Sequence, residues 1–204
     1  MRTPPRAWRW AALLSLLAAC ACTPQADWHG TDVTGVLPDL EFELTNERGE
    51  PVSADDFRGR PSLLFFGFTN CPGICPATLG HLKVAIDALG SEGERLQVLL
   101  ATVDPARDTP EALQAYTRRF GPWLHGLTGP EAELRRLNQA YKVDFANLPG
   151  DPGGDYEVMH SGVVFAFDEA GRCRVLIRDT ANTQALVADL DRLLNAPPPV
   201  SVQG

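Results

Sequence analysis

Phe65-Phe66-Gly67-Phe68-Thr69-Asn70-Cys71-Pro72-Gly73-Ile74-Cys75-Pro76 is the stretch whose reading decides the fold. The apolar run Ser62 to Phe68 reads as a buried strand, and it delivers the chain to two cysteines, each followed by a proline. The residue before a proline is pushed out of the helical region, which predicts extended or turn geometry for Cys71 and Cys75. Pro76 suits a first helical position, where a missing N–H costs nothing. A helix is therefore predicted to begin at Pro76 and continue over Ala77 to Gly90, with Cys75 as its N-cap. Unsatisfied N–H groups and the positive helix end favour a thiolate there.

Working outward, Leu96 to Val103 is a second buried strand, so strand, helix and strand form a βαβ unit with parallel strands. Reactive groups in such sheets gather beyond the carboxyl ends of the strands. Cys71 follows the first strand and Asp104 the second, which predicts a shared rim. Asp104-Pro105-Ala106-Arg107-Asp108-Thr109-Pro110 reads as a turn and helix entry, capped by Asp108 or Thr109, with the helix running to Phe120. Trp123 to Leu127 is a short strand with His125 at the surface or edge, and Pro130 to Tyr141 is a helix. Val143 to Ala146 is extended, and a breaker-rich loop, Leu148 to Asp155, leads to His160 just before a strand over Gly162 to Phe167. A turn at Asp168-Glu169-Ala170-Gly171, a returning strand to Ile177 and a helix over Asn182 to Leu194 complete the domain. Upstream, Leu40 to Leu44 and Pro51 to Ser53 form a β-hairpin around Arg48-Gly49-Glu50. Cys173 reads as a packed small hydrophobe, and Cys22 has no evident role.

The length of 204 residues suits one domain and a leader, and the net charge of −8 argues against nucleic acid as a partner. Arg2, Arg6 and Arg9 precede the apolar run Ala11 to Ala19, the pattern of a secretory signal over residues 1–19. Leu17-Ala18-Ala19-Cys20 resembles a bacterial lipoprotein box in which Cys20 is lipidated. The expected organisation is a signal at 1–19, a lipidated tether at 20–35, a domain at 36–195 and a tail at 196–204. Such a protein is exported and held at the membrane on a periplasmic or other extracytoplasmic face. Losing the three leader arginines takes the charge from −8 to −11.

Cys71-x-x-x-Cys75 puts two sulfurs close enough to bond to each other or to share one ion. Structural zinc takes four ligands, and no second cysteine pair is present. Two thiolates and one imidazole suit Cu(I). The choice lies between dithiol redox chemistry and copper, with a thiol peroxidase drawing on Thr69 and Arg107 as a poor third. His160, 85 residues beyond Cys75, would share the rim if its strand runs antiparallel to the βαβ pair.

Gly67 to Pro76, then Val103 to Pro110 and then His160-Ser161, together resemble the Sco/SenC family of copper-binding, thioredoxin-like proteins over about residues 33–195. The resemblance implies an α/β thioredoxin-like fold, a central mixed sheet flanked by helices, with an N-terminal β-hairpin extension. It also implies that Cys71, Cys75 and His160 bind copper, as Cu(I) or Cu(II). The implied partner is the cytochrome c oxidase subunit carrying the binuclear copper centre. A thioredoxin-like reductant or another copper carrier would serve the same site. Asp104 is expected to support the site or to face the partner, not to ligate. Met159 stands where relatives often carry an acidic residue and is expected to pack. The competing function is a thiol–disulfide oxidoreductase that reduces the oxidase's own cysteines.

Overall fold

The computed structural model describes residues 27–143, 146–147, 158–159 and 162–195. The leader, Cys20, Cys22, the loop at 148–155, His160, Ser161 and the tail at 196–204 lie outside the described residues. In chain order the described elements are β1 (Thr31–Asp32), β2 (Glu43–Asn46), β3 (Pro51–Ser53), β4 (Ser62–Gly67), α1 (Ile74–Ala88), β5 (Gln97–Thr102) and α2 (Pro110–Thr117). There follow β6 (Leu124–Thr128), α3 (Glu131–Ala140), β7 (Ala146–Asn147), β8 (Val158–Met159), β9 (Val164–Phe167), β10 (Cys173–Ile177) and α4 (Thr183–Leu194).

Eight of these strands form one mixed sheet in the order β1-β10-β9-β4-β5-β6-β2-β3, and β7 pairs with β8 separately. β4, β5 and β6 are parallel neighbours, whereas β9 lies antiparallel on the other side of β4. Every residue of β4 and β5 is buried, as expected of central strands covered on both faces.

Side chains alternate between the faces, so Phe65 and Gly67 share a face with their register partners Leu100 and Thr102. On that face α1 sets Cys75 against Gly67, and α4 packs beside α1. α2 lays Leu113 over Gly126, the register partner of Leu100. The opposite face presents Phe66, Phe165 and Phe167. Tyr141, just after α3, covers them with ring centroids 6.3, 5.1 and 5.7 Å away, respectively.

Several elements differ from the sequence reading, three of them as follows. The hairpin strand begins at Glu43, because the Leu40 N–H is taken by the Gly171 carbonyl at 2.7 Å rather than by a hairpin partner. The segment read as a tether joins the sheet in part. Thr31 and Asp32 pair with β10, and the buried Asp189 carboxylate accepts the His29 and Gly30 N–H groups, each at 2.8 Å. The helix after the aspartates ends at Thr117, and Thr109, not Asp108, caps it by accepting the Ala112 N–H.

Leu100 is fully buried between the strand neighbours of the site face. Leu100→Ala is expected to destabilise the domain by about 2–5 kcal/mol, seen as a lower urea midpoint at unchanged slope.

Candidate metal centre

α1 starts at Ile74 with Gly73 as its N-cap, so Cys75 lies inside the first turn and Pro76 just behind it. The sequence reading, with Cys75 as N-cap and Pro76 as the first helical residue, placed this start two residues later. Proline is tolerated through the first turn because those N–H groups have no intrahelical partner. Gly73 offers no side chain to cap the helix. The Cys71 sulfur fills that place, accepting the Cys75 N–H at 3.3 Å. A turn in which the Cys71 N–H donates to the Phe68 carbonyl at 3.2 Å brings the sulfur there.

None of the three described cysteines is in a disulfide. Cys71 is 8% exposed and Cys75 is 0% exposed. Gly67 makes room for the inner sulfur, since a Cβ on it would stand 2.9 Å from Cys75 Sγ. Burial pushes the Cys75 thiol far above its ordinary 9.0, and the neighbouring Cys71 and the Asp108 charge push the same way. The expected easy thiolate is therefore not found at Cys75. Desolvation outweighs the helix end there. Cys173 is buried as expected, and burial raises its thiol to about 12.

Asp104 and Asp108 both lie on the predicted rim and are 1% and 0% exposed. Asp104 pairs with Arg107, whose guanidinium lies 6.0 Å from the centre of the Phe68 ring. The Asp104 carboxylate is covered there rather than open to solvent. Asp108 accepts the Thr69 hydroxyl and the Thr102 hydroxyl, each at 2.6 Å. Burial raises the Asp108 carboxyl, and those hydrogen bonds offset part of the rise. Thr69 and Arg107, which a peroxidase would need at the cysteine, are thus engaged by Asp108 and Asp104. Sequence reasoning did not foresee that Asp108 would hold Thr69 or that Gly67 would make room for Cys75. Asp108's sequence signal, a helix-entry aspartate, pointed to a cap.

Among the described residues no three His, Cys, Asp or Glu side chains converge to hold a metal. His160 lies outside them. The nearest described residue after it, Gly162, lies against the start of α1: a Cβ there would stand 2.8 Å from Ile74 Cδ1 and 3.4 Å from Thr78 Oγ1. β9 is antiparallel to β4 with Val164 opposite Phe65, so Gly162 and Val163 lead into it from the rim end of β4. His125 is half-buried on β6 against Phe57 and Glu47, and His81 Nδ1 lies 3.2 Å from Thr180 Oγ1.

Residues 37–195 match the family model described as SCO1/SenC. A protein of Stutzerimonas stutzeri named "Putative copper-binding protein" is 37% identical over 156 residues, 76% of each chain. Yeast Sco1 with copper bound is 32% identical with a TM-score of 0.72, covering 80% of this chain and 92% of that one. BsSco, described as a member of the Sco family of cytochrome c oxidase assembly proteins, has a TM-score of 0.58 at 22% identity, covering 80% and 99%. It shares the fold.

The unequal burial of the cysteines has a direct readout. In the reduced native protein at neutral pH, iodoacetamide is expected to alkylate Cys71 at least about tenfold faster than Cys75 or Cys173, as followed by peptide mass spectrometry. Equal labelling of Cys71 and Cys75 would contradict this arrangement.

Proposed function

Because this chain belongs to the SCO1/SenC family of thioredoxin-like proteins, we propose that it is a copper metallochaperone serving cytochrome c oxidase. It takes one copper ion, as Cu(I) or Cu(II), between Cys71, Cys75 and His160. It delivers the ion to the oxidase subunit that carries the binuclear copper centre. Copper here is cargo. The observation that carries the reading is Gly162 packed on Ile74 and Thr78, which brings the chain within two residues of His160 to the helix turn bearing Cys75.

The two sulfurs have unequal tasks. Cys71, the outer one, meets the incoming ion first, with its position set by the Cys75 N–H. Cys75 keeps its proton in the dry interior until a cation arrives to offset the charge. A soft d¹⁰ ion suits two thiolates and one imidazole, and it leaves by exchange onto a partner's own ligands. Joining the sulfurs as a disulfide, with loss of two electrons and two protons to a partner's disulfide, removes both donors and blocks reloading. Export, with the lipid on Cys20 holding the domain at the membrane, belongs to the same proposal. No described helix is long and apolar enough to cross a membrane.

The asymmetric burial also suits the second reading, a thiol–disulfide oxidoreductase. In it Cys71 attacks a disulfide of the oxidase copper site and Cys75 resolves the mixed disulfide. A thioredoxin-like reductant would then restore the pair.

Copper stoichiometry separates the two. The reduced full-length protein is expected to hold one copper per chain, Cys71→Ser and Cys75→Ser none, and His160→Ala one bound at least about tenfold more weakly. Absence of tight copper with rapid disulfide exchange would leave the oxidoreductase, and unchanged affinity in His160→Ala would remove His160 from the site.

A further inference from the structure

Asp108 is fully buried, yet among the described residues its partners are hydroxyls and an amide, not a cation. Its carboxylate accepts the Thr69 N–H at 3.1 Å and the Thr69 and Thr102 hydroxyls at 2.6 Å each. Thr102 Oγ1 in turn accepts the Asp104 N–H at 2.9 Å. A carboxylate, with acceptors only, matches three donors at once, which an amide side chain cannot do. Placing one in the interior without a counter-ion costs several kcal/mol, far more than an ordinary helix entry requires.

The location accounts for that cost. Thr69 stands two residues before Cys71 in the loop that leaves β4. Thr102 is the last residue of β5 and the register partner of Gly67, over which Cys75 Sγ sits. Thr102 and Gly67 therefore face the same side of the sheet, and Asp108 lies on that side, one strand over from Cys75. Asp108 thus ties the cysteine loop to the neighbouring strand beside the inner sulfur.

We propose that Asp108 is a positioning residue of the metal centre, clamping Thr69 to the end of β5 so that Cys71 is held at the distance from Cys75 that one ion requires. This rests on the copper reading above. The Phe68–Cys71 turn with Thr69 clamped inside it leaves the outer sulfur one place to stand. With the clamp gone the domain still folds, but Cys71 samples several positions.

The test uses the reduced full-length protein and its variants Asp108→Asn, Thr69→Val and Thr69→Ser. Thermal unfolding, the sulfur-to-Cu(II) charge-transfer band, the Cu(II) electron paramagnetic resonance spectrum and Cu(I) affinity against a chelator are read on each. Asp108→Asn and Thr69→Val are expected to unfold cooperatively, to give a shifted or multiple-form Cu(II) spectrum, and to hold Cu(I) about tenfold more weakly. Thr69→Ser, which keeps both hydrogen bonds, is expected to match the parent protein. A parent-like spectrum in Asp108→Asn overturns the proposal even if the unfolding temperature falls, because a merely structural role moves only the latter. Should Asp108→Asn not fold, Thr69→Val decides by the same spectrum. Should the parent protein hold no copper, the copper reading fails. The clamp is then judged on the dithiol–disulfide midpoint potential, where a shift in Asp108→Asn supports it and an unchanged value overturns it.

Discussion

Burial of β4 on both faces is the constraint from which the rest of the structure follows. A strand with no solvent face must find a neighbour on each edge and a layer on each side, and β5, β9, α1 and Tyr141 supply them. Because β4 and β5 run parallel, their carboxyl ends open on one rim, and the chain must turn there twice. One turn holds Cys71 and the other holds Asp104 and Asp108. Gly67 closes the strand with no side chain, which lets α1 seat Cys75 directly on the sheet.

That seating sets the chemistry. The positive end of a helix favours a thiolate, but its influence fades within a turn, whereas complete burial acts on the whole side chain. At Cys75 burial prevails. Cys71 keeps a small exposure and accepts the Cys75 N–H. The same rim holds two buried carboxylates of different kinds. Asp104 is offset by Arg107, and Asp108 is satisfied by hydroxyls and an amide. In that setting burial holds the Cys75 thiol in its protonated form.

Much of the fold was legible because it rests on apolar runs and breakers. The buried strands, the helices after Pro76 and Pro110, and the hairpin at Asp168 to Gly171 follow from period and turn chemistry. The helix start was misplaced because the pre-proline rule describes a free backbone, and here the Cys75 N–H has the Cys71 sulfur as its partner. Thr31 and Asp32 carry no strand signal of their own. They pair because β10 leaves an open edge and Asp189 anchors the residues before them. Asp108 was read as a local cap because its partner Thr69 lies 39 residues away in the chain, a distance that no periodicity reveals. The cysteine pair was legible from spacing and proline. His160 was tied to it by the resemblance and by an expected antiparallel strand; β9 does run antiparallel to β4, while His160 itself lies outside the described residues.

Copper binding through two sulfurs and one imidazole is tested most directly by X-ray absorption at the copper edge of the loaded full-length protein. Two sulfur donors and one imidazole nitrogen are expected around each ion. A shell of nitrogen and oxygen atoms without sulfur would contradict the Cys71–Cys75–His160 centre.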